Sequence, residues 1–453
     1  MFRASGEGST DMFGISARGG ATRFAAGLVS VGALALGTLT GVGTAHADQN
    51  GGAVATLGDF VHAGAIDIGG NTTYGGTVAL QDGGQQLAVY CIDLHHETQA
   101  GVQYQETGWA QSTLSQNPDR GRIQWILQHA YPVVSPATLA GDIGASGLTD
   151  DQAAAATQAA IWHFSDHVDA QPEDQAAAKL TGWLEQNAQD TAEPAPSLAL
   201  SPASVAGRSG KLGPVTVTTS ASSVDVALTG ASGVQLVDGA GKPVTSAVNG
   251  EKLYVDVPKG TAAGSTEIDA TTTTALPVGR AFKAVDGSSQ TMILAGTAPV
   301  SVKAAAQAQW APQGAVPAAF AKEDCKQGGV DVTLTNGGDQ PWAAKVGTLA
   351  VTVAPGATKT VLVKEKEGQK YTITVTGPNF TRTFTGALTC KPTGGSHLPT
   401  GKPTPSASPS HPPLAETGAS SSTPVIAGVG AGCVLVGGAA VFVLRKRRGR
   451  HSA

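Results

Sequence analysis

The pattern of apolar and polar positions divides the chain into a mixed segment and two segments of short strands. Between residues 51 and 93, apolar and polar positions alternate between Gly-rich turns at 69–71 and 82–84, which is typical of β-strands. In the last of these runs, 87–92, both faces are apolar. This pattern predicts a strand in the interior of the fold.

Three helical patterns follow, and with the strands they predict an α+β domain over 48–193. Each carries apolar residues at spacings of three and four, which places them on one face of a helix. The patterns cover 122–131, 149–164 and 173–186. In the second, Gln158 and Trp162 are four positions apart and therefore share a face.

Beyond residue 196 the helical pattern disappears, which predicts all-β modules. Short alternating runs recur between Gly, Pro and Asp turns, as in antiparallel β-sandwiches. We expect an immunoglobulin-like sandwich over 196–308 and a second, smaller one over 311–392. Residues 393–413 are rich in Pro, Ser and Thr and have few apolar side chains, so we expect an extended, disordered stalk.

Both ends of the chain carry apolar runs that indicate export. Near the start, arginines precede an apolar run over 24–39, and small residues at 45 and 47 suit cleavage, so residues 1–47 are expected to be a signal peptide. Near the end, the apolar run 425–444 is long enough to span a bilayer as a transmembrane helix, with a basic tail behind it at 445–448.

A short motif precedes the second apolar run. Its five residues are Leu414, Ala415, Glu416, Thr417 and Gly418. Motif, apolar span and basic tail, covering 414–453, resemble the cell-wall sorting signal of Gram-positive surface proteins, in the Ala-containing form of high-GC actinobacteria. The resemblance implies that a sortase cleaves after Thr417 and joins it to peptidoglycan. The membrane would then hold the chain only before this step, and the mature protein would be anchored to the wall.

Composition and charge argue against several functions. Charged residues make up 14% and aromatic residues 5%, which favours small β-rich modules over a large enzyme core. The net charge is −5 and basic residues do not cluster outside the termini, so no nucleic-acid partner is expected. His95, His96 and Glu97 are adjacent and cannot converge on one ion, so we expect no metal and no cofactor.

The cysteines suggest different roles. Of the four, Cys433 lies in the apolar span. Cys325 and Cys390 bracket the smaller β-module and are expected to form a disulfide, as is common in secreted β-domains. Cys91 is left alone. It is either a small apolar residue buried in a strand, or its sulfur is bonded to something other than sulfur.

Cys91 and Gln158 lie in two short motifs, Tyr90-Cys91 and a Thr-Gln-x-Ala sequence that starts at Thr157. Together they resemble the thioester domain of Gram-positive surface proteins. The resemblance implies that Cys91 supplies the sulfur and Gln158 the acyl carbon of an internal thioester, flanked by Tyr90 and Thr157. Trp162, one turn beyond Gln158, is placed to shield the bond from water.

Other polar residues near these motifs are candidates for moving protons. Asp93, His95 and His96 follow the cysteine, and His163 lies in the glutamine helix. Any of them could serve an attacking amine as base or donor. Histidines in polar loops are, however, more often solvated than catalytic.

The resemblance implies a covalent adhesin that reacts once and is therefore not an enzyme. An amine, most plausibly a lysine of an unknown surface protein or polymer, would attack the thioester and form an amide. Two alternatives stay open: a passive wall protein, and an extracellular cysteine hydrolase. An apolar strand is an unusual place for a nucleophilic cysteine, which argues against the hydrolase. No motif supports Lys–Asn bonds in the β-modules, where Lys364 or Lys252 would pair with Asn336 or Asn249.

Overall fold

The computed structural model describes residues 44–46, 51–230 and 232–391. The stalk, the sorting motif, the apolar span 425–444 and most of the predicted signal peptide lie outside these residues. Within the described part, no helix is long and apolar enough to cross a membrane.

Helices occur only in the first part of the described chain, and strands occur throughout. The helices are α1 Arg120–His129, α2 Pro136–Asp142, α3 Asp150–Ser165 and α4 Gln175–Asn187, preceded by a 3-10 turn at Trp109–Gln111. The strands up to residue 201 are β1 Thr44–His46, β2 Val54–Ile68, β3 Asn71–Asp82, β4 Gln85–Cys91, β5 Gln103–Thr107, β6 Ala170–Pro172 and β7 Leu198–Ser201. Those up to residue 310 are β8 Ser204–Gly207, β9 Gly210–Thr219, β10 Val224–Thr229, β11 Gln235–Val237, β12 Ser246–Ala247, β13 Lys252–Val257, β14 Gly264–Ala275, β15 Ala281–Ala284, β16 Met292–Gly296 and β17 Pro299–Trp310. The last are β18 Pro317–Asp324, β19 Gly329–Asn336, β20 Trp342–Val346, β21 Leu349–Val353, β22 Thr358–Lys364, β23 Lys370–Gly377 and β24 Phe380–Ala387.

Six strands of the first unit form a closed sheet. The order is β3-β4-β16-β15-β5-β2, the β2–β3 pairing closes the circle, and β6 adds to β2. Alternate side chains of a strand point to opposite faces. Leu87, Val89 and Cys91 of β4 accordingly pack in one core with residues of the other five strands, whereas Tyr90 and Ile92 pack in a second core under the helices.

Two strands of this closed sheet come from far along the chain. Strands β15 and β16 fall within 196–308, the stretch expected to be one sandwich, but β15 pairs with β5 and β16 pairs with β4. Their apolar side chains divide between the two cores, with Phe282 and Met292 in one and Ala281 and Ile293 in the other. Alternation along a strand predicts that it is a strand but does not identify the sheet that it joins.

The predicted helices agree closely with α1, α3 and α4. The capping box of α3 is present, because the Thr149 hydroxyl accepts from the Gln152 N–H and the Gln152 side chain accepts from the Thr149 N–H. Asp174 caps α4 by accepting from two backbone N–H groups. Helix α2 was not predicted, since its seven residues are too short to show a period.

The second unit consists of two sheets, ordered β12-β10-β14-β17-β8 and β11-β13-β9-β7. Strands β14 and β17 pair over their full length, from Gly264 opposite Trp310 to Ala275 opposite Pro299. The chain between them, 276–298, leaves this unit and supplies β15 and β16 to the closed sheet. A long hairpin therefore joins the two units.

The third unit contains a three-stranded sheet, β18-β19-β22, and a five-stranded sheet, β1-β24-β23-β20-β21. Its core is centred on Trp342, which is fully buried and meets Phe380 edge-on. Cys325 and Cys390 form the disulfide expected from their positions at the ends of the module. A buried ion pair between Lys283 of β15 and Glu323 of β18 links this unit to the closed sheet.

Candidate functional site

The side chain of Gln158 is held by the backbone of Cys91 through two hydrogen bonds. The Cys91 N–H donates to Gln158 Oε1 at 2.9 Å, and Gln158 Nε2 donates to the Cys91 carbonyl at 2.8 Å. This places the carboxamide carbon beside the residue that carries the sulfur. The sequence motifs named the two residues, and the fold brings them into contact.

The contact forms at the end of β4, where β3 and β4 are no longer paired. Strand β3 pairs with β4 from Asp82–Gln85 as far as Val78–Val89, and then continues along β2 alone. Residues 87, 89 and 91 direct their N–H and C=O groups to the same side of the strand, so those of Cys91 have no strand partner on that side. The Gln158 carboxamide takes the place of the missing backbone, which fixes its orientation.

A glycine of β3 leaves the space that the glutamine stem occupies. A Cβ atom placed on Gly75 would lie 2.8 Å from Gln158 Cγ, 2.9 Å from Trp162 Cη2 and 2.6 Å from Ile66 Cδ1. Such distances are shorter than van der Waals contact, so any larger residue must push one of these side chains aside. The sequence offered no signal for Gly75, because the restriction comes from a helix that is remote in sequence.

The site is closed off from solvent. Gln158 is fully buried, and Cys91 and Trp162 are each 3% exposed. Trp162 packs in the same core as Cys91 and contributes to the wall around Gln158. A dry site protects an acyl–sulfur bond from hydrolysis and strengthens the hydrogen bonds within it.

Tyr90 and Thr157 support the site from the opposite face of β4. Tyr90 is fully buried, and its hydroxyl donates to the Tyr131 carbonyl at 2.8 Å. The Thr157 hydroxyl donates to the Ala153 carbonyl at 2.8 Å. Burial raises the pKa of Tyr90, and a hydrogen bond with Thr157 opposes that rise. The two motif residues thus join β4 to α3 without facing the sulfur.

Acidic groups lie near the sulfur. Burial raises the pKa of the Cys91 thiol to about 12; Asp166 and Asp93 also raise it by their charge, while a hydrogen bond with Thr98 lowers it. A thiol in these surroundings stays protonated at neutral pH. A free thiolate nucleophile, as a cysteine hydrolase requires, is therefore disfavoured.

The predicted polar residues divide into two groups. Asp93 is 1% exposed and accepts from His96 Nδ1 at 3.1 Å, an interaction that raises the pKa of His96. His95 lies near Asp166 and lowers the pKa of that carboxyl by its charge. His163 is exposed and lies 3.8 Å from Glu185, so it is not part of the site.

Three further residues were missed from the sequence. Asp166, at the end of α3, accepts from the Leu94 N–H and from the Ser165 hydroxyl. Thr98 contacts Gln290, which lies two residues before β16 and is buried. Asp166 stands eight residues after Gln158, two helical turns along, and this spacing could have suggested it. Gln290 had no such signal, because it is reached through the second unit.

The described residues contain no group of three potential metal ligands. The residues discussed for Lys–Asn bonds are engaged elsewhere: Lys364 Nζ donates to the Gln327 carbonyl, and the fully buried Asn336 donates to the Gln340 and Val353 carbonyls. Asn249 accepts from the Thr219 N–H. Each of these side chains has a structural role in its own module.

The strand that carries Cys91 and the helix that carries Gln158 thus bring a buried thiol and a buried carboxamide together. Residues 88–190 match the family described as thioester domain, and both Cys91 and Gln158 fall within the match. This part of the chain is therefore similar to a thioester domain. Residues 312–387 match the family described as bacterial phospholipase C, C-terminal domain, and these residues form most of the third unit.

Three solved structures that match this chain are the following. The Bacillus anthracis TIE protein is 14% identical, with 75% of this chain and 81% of that chain covered and a TM-score of 0.28. The thioester domain of the Enterococcus faecium TIE86 protein is 17% identical, with coverage of 57% and 96% and a TM-score of 0.28. The N-terminal thioester domain of a surface protein from Clostridium perfringens is 17% identical, with coverage of 27% and 78% and a TM-score of 0.22. The curated proteins contain no significant match.

Proposed function

We propose that this protein is a cell-wall-anchored surface protein that captures an amine-bearing partner covalently through a thioester between Cys91 and Gln158. The observation that carries the proposal is the pair of hydrogen bonds between the Gln158 carboxamide and the Cys91 backbone. A buried glutamine that served only to pack would not need to lie against the one free cysteine of the described chain.

Formation of the bond follows from this arrangement. The Cys91 sulfur loses its proton and attacks the Gln158 amide carbon, and the negative charge develops on Oε1, which already accepts from the Cys91 N–H. The intermediate collapses with loss of the amide nitrogen as ammonia. Proximity lowers the activation barrier of this step, because both groups are fixed before reaction.

In the capture step, nitrogen is the nucleophile and sulfur is the leaving group. A neutral amine, such as that of a lysine side chain, attacks the thioester carbon, an amide forms, and the sulfur leaves and takes up a proton. The same N–H of Cys91 is placed to stabilise the oxyanion. The amide persists, so each molecule reacts once and is not a catalyst.

The remaining units present this domain to its partner. In the proposal, residues 1–47 direct export, a sortase joins Thr417 to peptidoglycan, and 393–413 extend through the wall. The two β-units act as immunoglobulin-like spacers. The partner is defined only by its chemistry, a surface protein or polymer that offers a primary amine.

The proposal is tested by the intact mass of the secreted form, residues 48–417. We expect a mass below that of the sequence by one ammonia, in addition to the two hydrogens lost in the disulfide. The variants Cys91→Ala and Gln158→Ala should each abolish the ammonia deficit. Gln186→Ala, which changes an exposed glutamine of α4, is the matched control and should retain it.

Methylamine then separates a reactive thioester from any other loss of ammonia. The protein with the deficit should gain one methylamine and release one titratable thiol, and the Cys91→Ala protein should gain none. Full sequence mass, apart from the disulfide, together with a titratable Cys91 in the folded protein would exclude the thioester and leave a passive wall protein.

A further inference from the structure

The carboxylate of Asp166 is fixed beside the loop that follows Cys91. Its Oδ1 accepts from the Leu94 N–H at 3.0 Å, and its Oδ2 accepts from the Ser165 hydroxyl at 2.6 Å. The residue is half-buried, and its charge raises the pKa of the Cys91 thiol. A carboxylate held at this loop can exchange protons between the site and solvent.

A second carboxylate nearby has an unused acceptor. Asp93 is 1% exposed, its Oδ2 accepts from His96, and its Oδ1 is buried without a hydrogen-bond partner among the described residues. An unpaired buried carboxylate oxygen is costly, and it calls for an explanation such as a catalytic role or a bound group. Asp93 raises the pKa of both Cys91 and Asp166, so its charge acts on the reacting atoms.

The surroundings of Asp166 suit proton transfer at neutral pH. Its pKa is raised to about 6, chiefly by burial and also by the charge of Asp93, while the bonds from Ser165 and Leu94 and the charge of His95 oppose the rise. Asp93 and His95 are the titratable side chains that face it besides Cys91, and Glu367 of the third unit faces His96. Proton carriers work best when their pKa lies near the working pH.

Resting on the proposed function, we propose that Asp166 carries the proton between sulfur and nitrogen at this thioester, and that Asp166 and Asp93 together select a cationic amine as the partner group. During bond formation, the thiol proton of Cys91 passes to Asp166 and then to the departing amide nitrogen, which leaves as ammonia. During capture, Asp166 takes one proton from the ammonium form of the incoming amine, so that a neutral amine attacks.

In the capture step, the departing sulfur takes up one of the protons that the amine loses. The attacking nitrogen gives up a second proton when the amide forms, and the departing sulfur takes up one because its thiol form is the stable one in this site. One proton in all is released to solvent through Asp166. The two negative charges also attract an ammonium group and repel anionic nucleophiles.

The test is the rate of methylamine addition to the preformed thioester of the secreted protein between pH 5 and 8.5. For the unmodified protein, the rate divided by the fraction of neutral methylamine should rise as the pH drops towards the pKa of Asp166 and level off below it. The reacting pair is the ammonium form of the amine and the ionised carboxylate, so the ammonium form gains on the neutral amine until the carboxyl itself becomes protonated. Asp166→Asn should lower the rate about 100-fold and remove this dependence, and Asp166→Glu should restore part of both. Asp169→Asn, an exposed acid three positions away, is the control and should behave as the unmodified protein.

The outcomes separate this inference from the proposed function. A normalised rate that does not change with pH in the unmodified protein would overturn the role of Asp166, whatever the variants do. So would an Asp166→Asn protein that carries the thioester and reacts at the unmodified rate. Absence of the ammonia deficit from the unmodified protein would instead defeat the thioester itself. Faster addition of methylamine than of glycine, compared at equal neutral-amine concentration, should accompany the predicted charge selection.

Discussion

Met292 is the cross-strand partner of Cys91, although it is reached only after the chain has run through most of the second unit. Ile92, the next residue, donates to the Thr291 carbonyl at 3.1 Å. The strand that carries the sulfur is thus held on one edge by a hairpin from the second unit and on the other by Gln158. The reactive pair is supported by two parts of the chain that are remote in sequence.

This relationship predicts that residues 48–193 do not form a working domain alone. Without β15 and β16, strands β4 and β5 each lose one of their two strand partners, and buried side chains such as Phe282 leave the closed sheet. We expect a 48–193 fragment to lack cooperative unfolding and the ammonia deficit. Circular dichroism during thermal unfolding measures the cooperativity, and intact mass measures the ammonia deficit.

The matched control for this truncation is a longer fragment, 48–311, which retains β15, β16 and the whole second unit. It should fold and show the deficit, with lower stability because the Lys283–Glu323 ion pair is gone. A 48–193 fragment that unfolds cooperatively and carries the deficit would show that the hairpin is not required.

The Gly75→Ala substitution should disturb the Gln158 carboxamide specifically. The new methyl group would contact Gln158 and Trp162 at less than 3 Å, so the glutamine stem must shift away from Cys91. We expect a free energy of unfolding lower by about 1–3 kcal/mol, as for other overpacked cores, and a smaller fraction of molecules with the thioester. Denaturant unfolding measures the free energy of unfolding, and intact mass measures the fraction of molecules with the thioester.

Gly141→Ala is the control for that substitution, because a Cβ at this position in α2 would have no heavy atom within 4 Å. It should leave the thioester fraction unchanged and slightly stabilise the helix. An equal loss of thioester in both variants would mean that Gly75 does not act through Gln158.

Arg280 is predicted to be the main electrostatic link between the closed sheet and the segment that leads into the second unit. It is 5% exposed and donates to Glu106 at 2.9 Å and to Glu193 at 3.0 Å. Arg280→Ala leaves Glu106 buried without its cation, and we expect a loss of about 3–5 kcal/mol in the free energy of unfolding. Denaturant unfolding measures this loss.

The control is Arg208→Ala, which removes a half-exposed arginine from its pair with Asp339. A pair exposed to solvent contributes only about 0–1 kcal/mol, so this variant should be nearly as stable as the parent. Similar losses for Arg208→Ala and Arg280→Ala would contradict the assignment of the link to the buried arginine.

The parts of this fold that the sequence predicts are those encoded locally. The capping box of α3, the apolar faces of three helices and the spacing of Gln158 from Trp162 each depend on residues within one or two turns. The disulfide followed from the positions of Cys325 and Cys390 at the ends of one module. In each case the pattern and the structure are linked by short-range geometry.

The parts that the sequence did not predict depend on pairing between distant segments. Strands β15 and β16 have ordinary strand patterns, and nothing in them indicates that they join β4 and β5 rather than a neighbouring sandwich strand. Gly75 and Asp166 matter only because the fold places them against Gln158 and near Cys91. Residues of this kind are set by tertiary contacts.

Asp166 should also reduce stability at neutral pH, as expected for a group retained for chemistry. Its pKa is raised from 3.8 to about 6, chiefly by burial, so the folded protein binds its proton more tightly than the unfolded chain does. Ionisation above pH 6 therefore costs free energy in the folded state, and this cost vanishes as the pH falls below about 4. Asp166→Asn should raise the free energy of unfolding by about 1–2 kcal/mol at pH 7.5 and by less at pH 5.

This comparison is made in the Cys91→Ala background, where no thioester can form and crosslink the native state. Denaturant unfolding of both proteins at pH 5 and 7.5 gives the two differences, and Asp169→Asn should change neither by more than about 0.5 kcal/mol. If Asp166→Asn destabilises the protein at pH 7.5, the carboxylate contributes more through its bonds to Leu94 and Ser165 than its burial costs. Stabilisation at pH 7.5 combined with slower amine capture would instead show that the chain keeps Asp166 for proton transfer at a cost in stability.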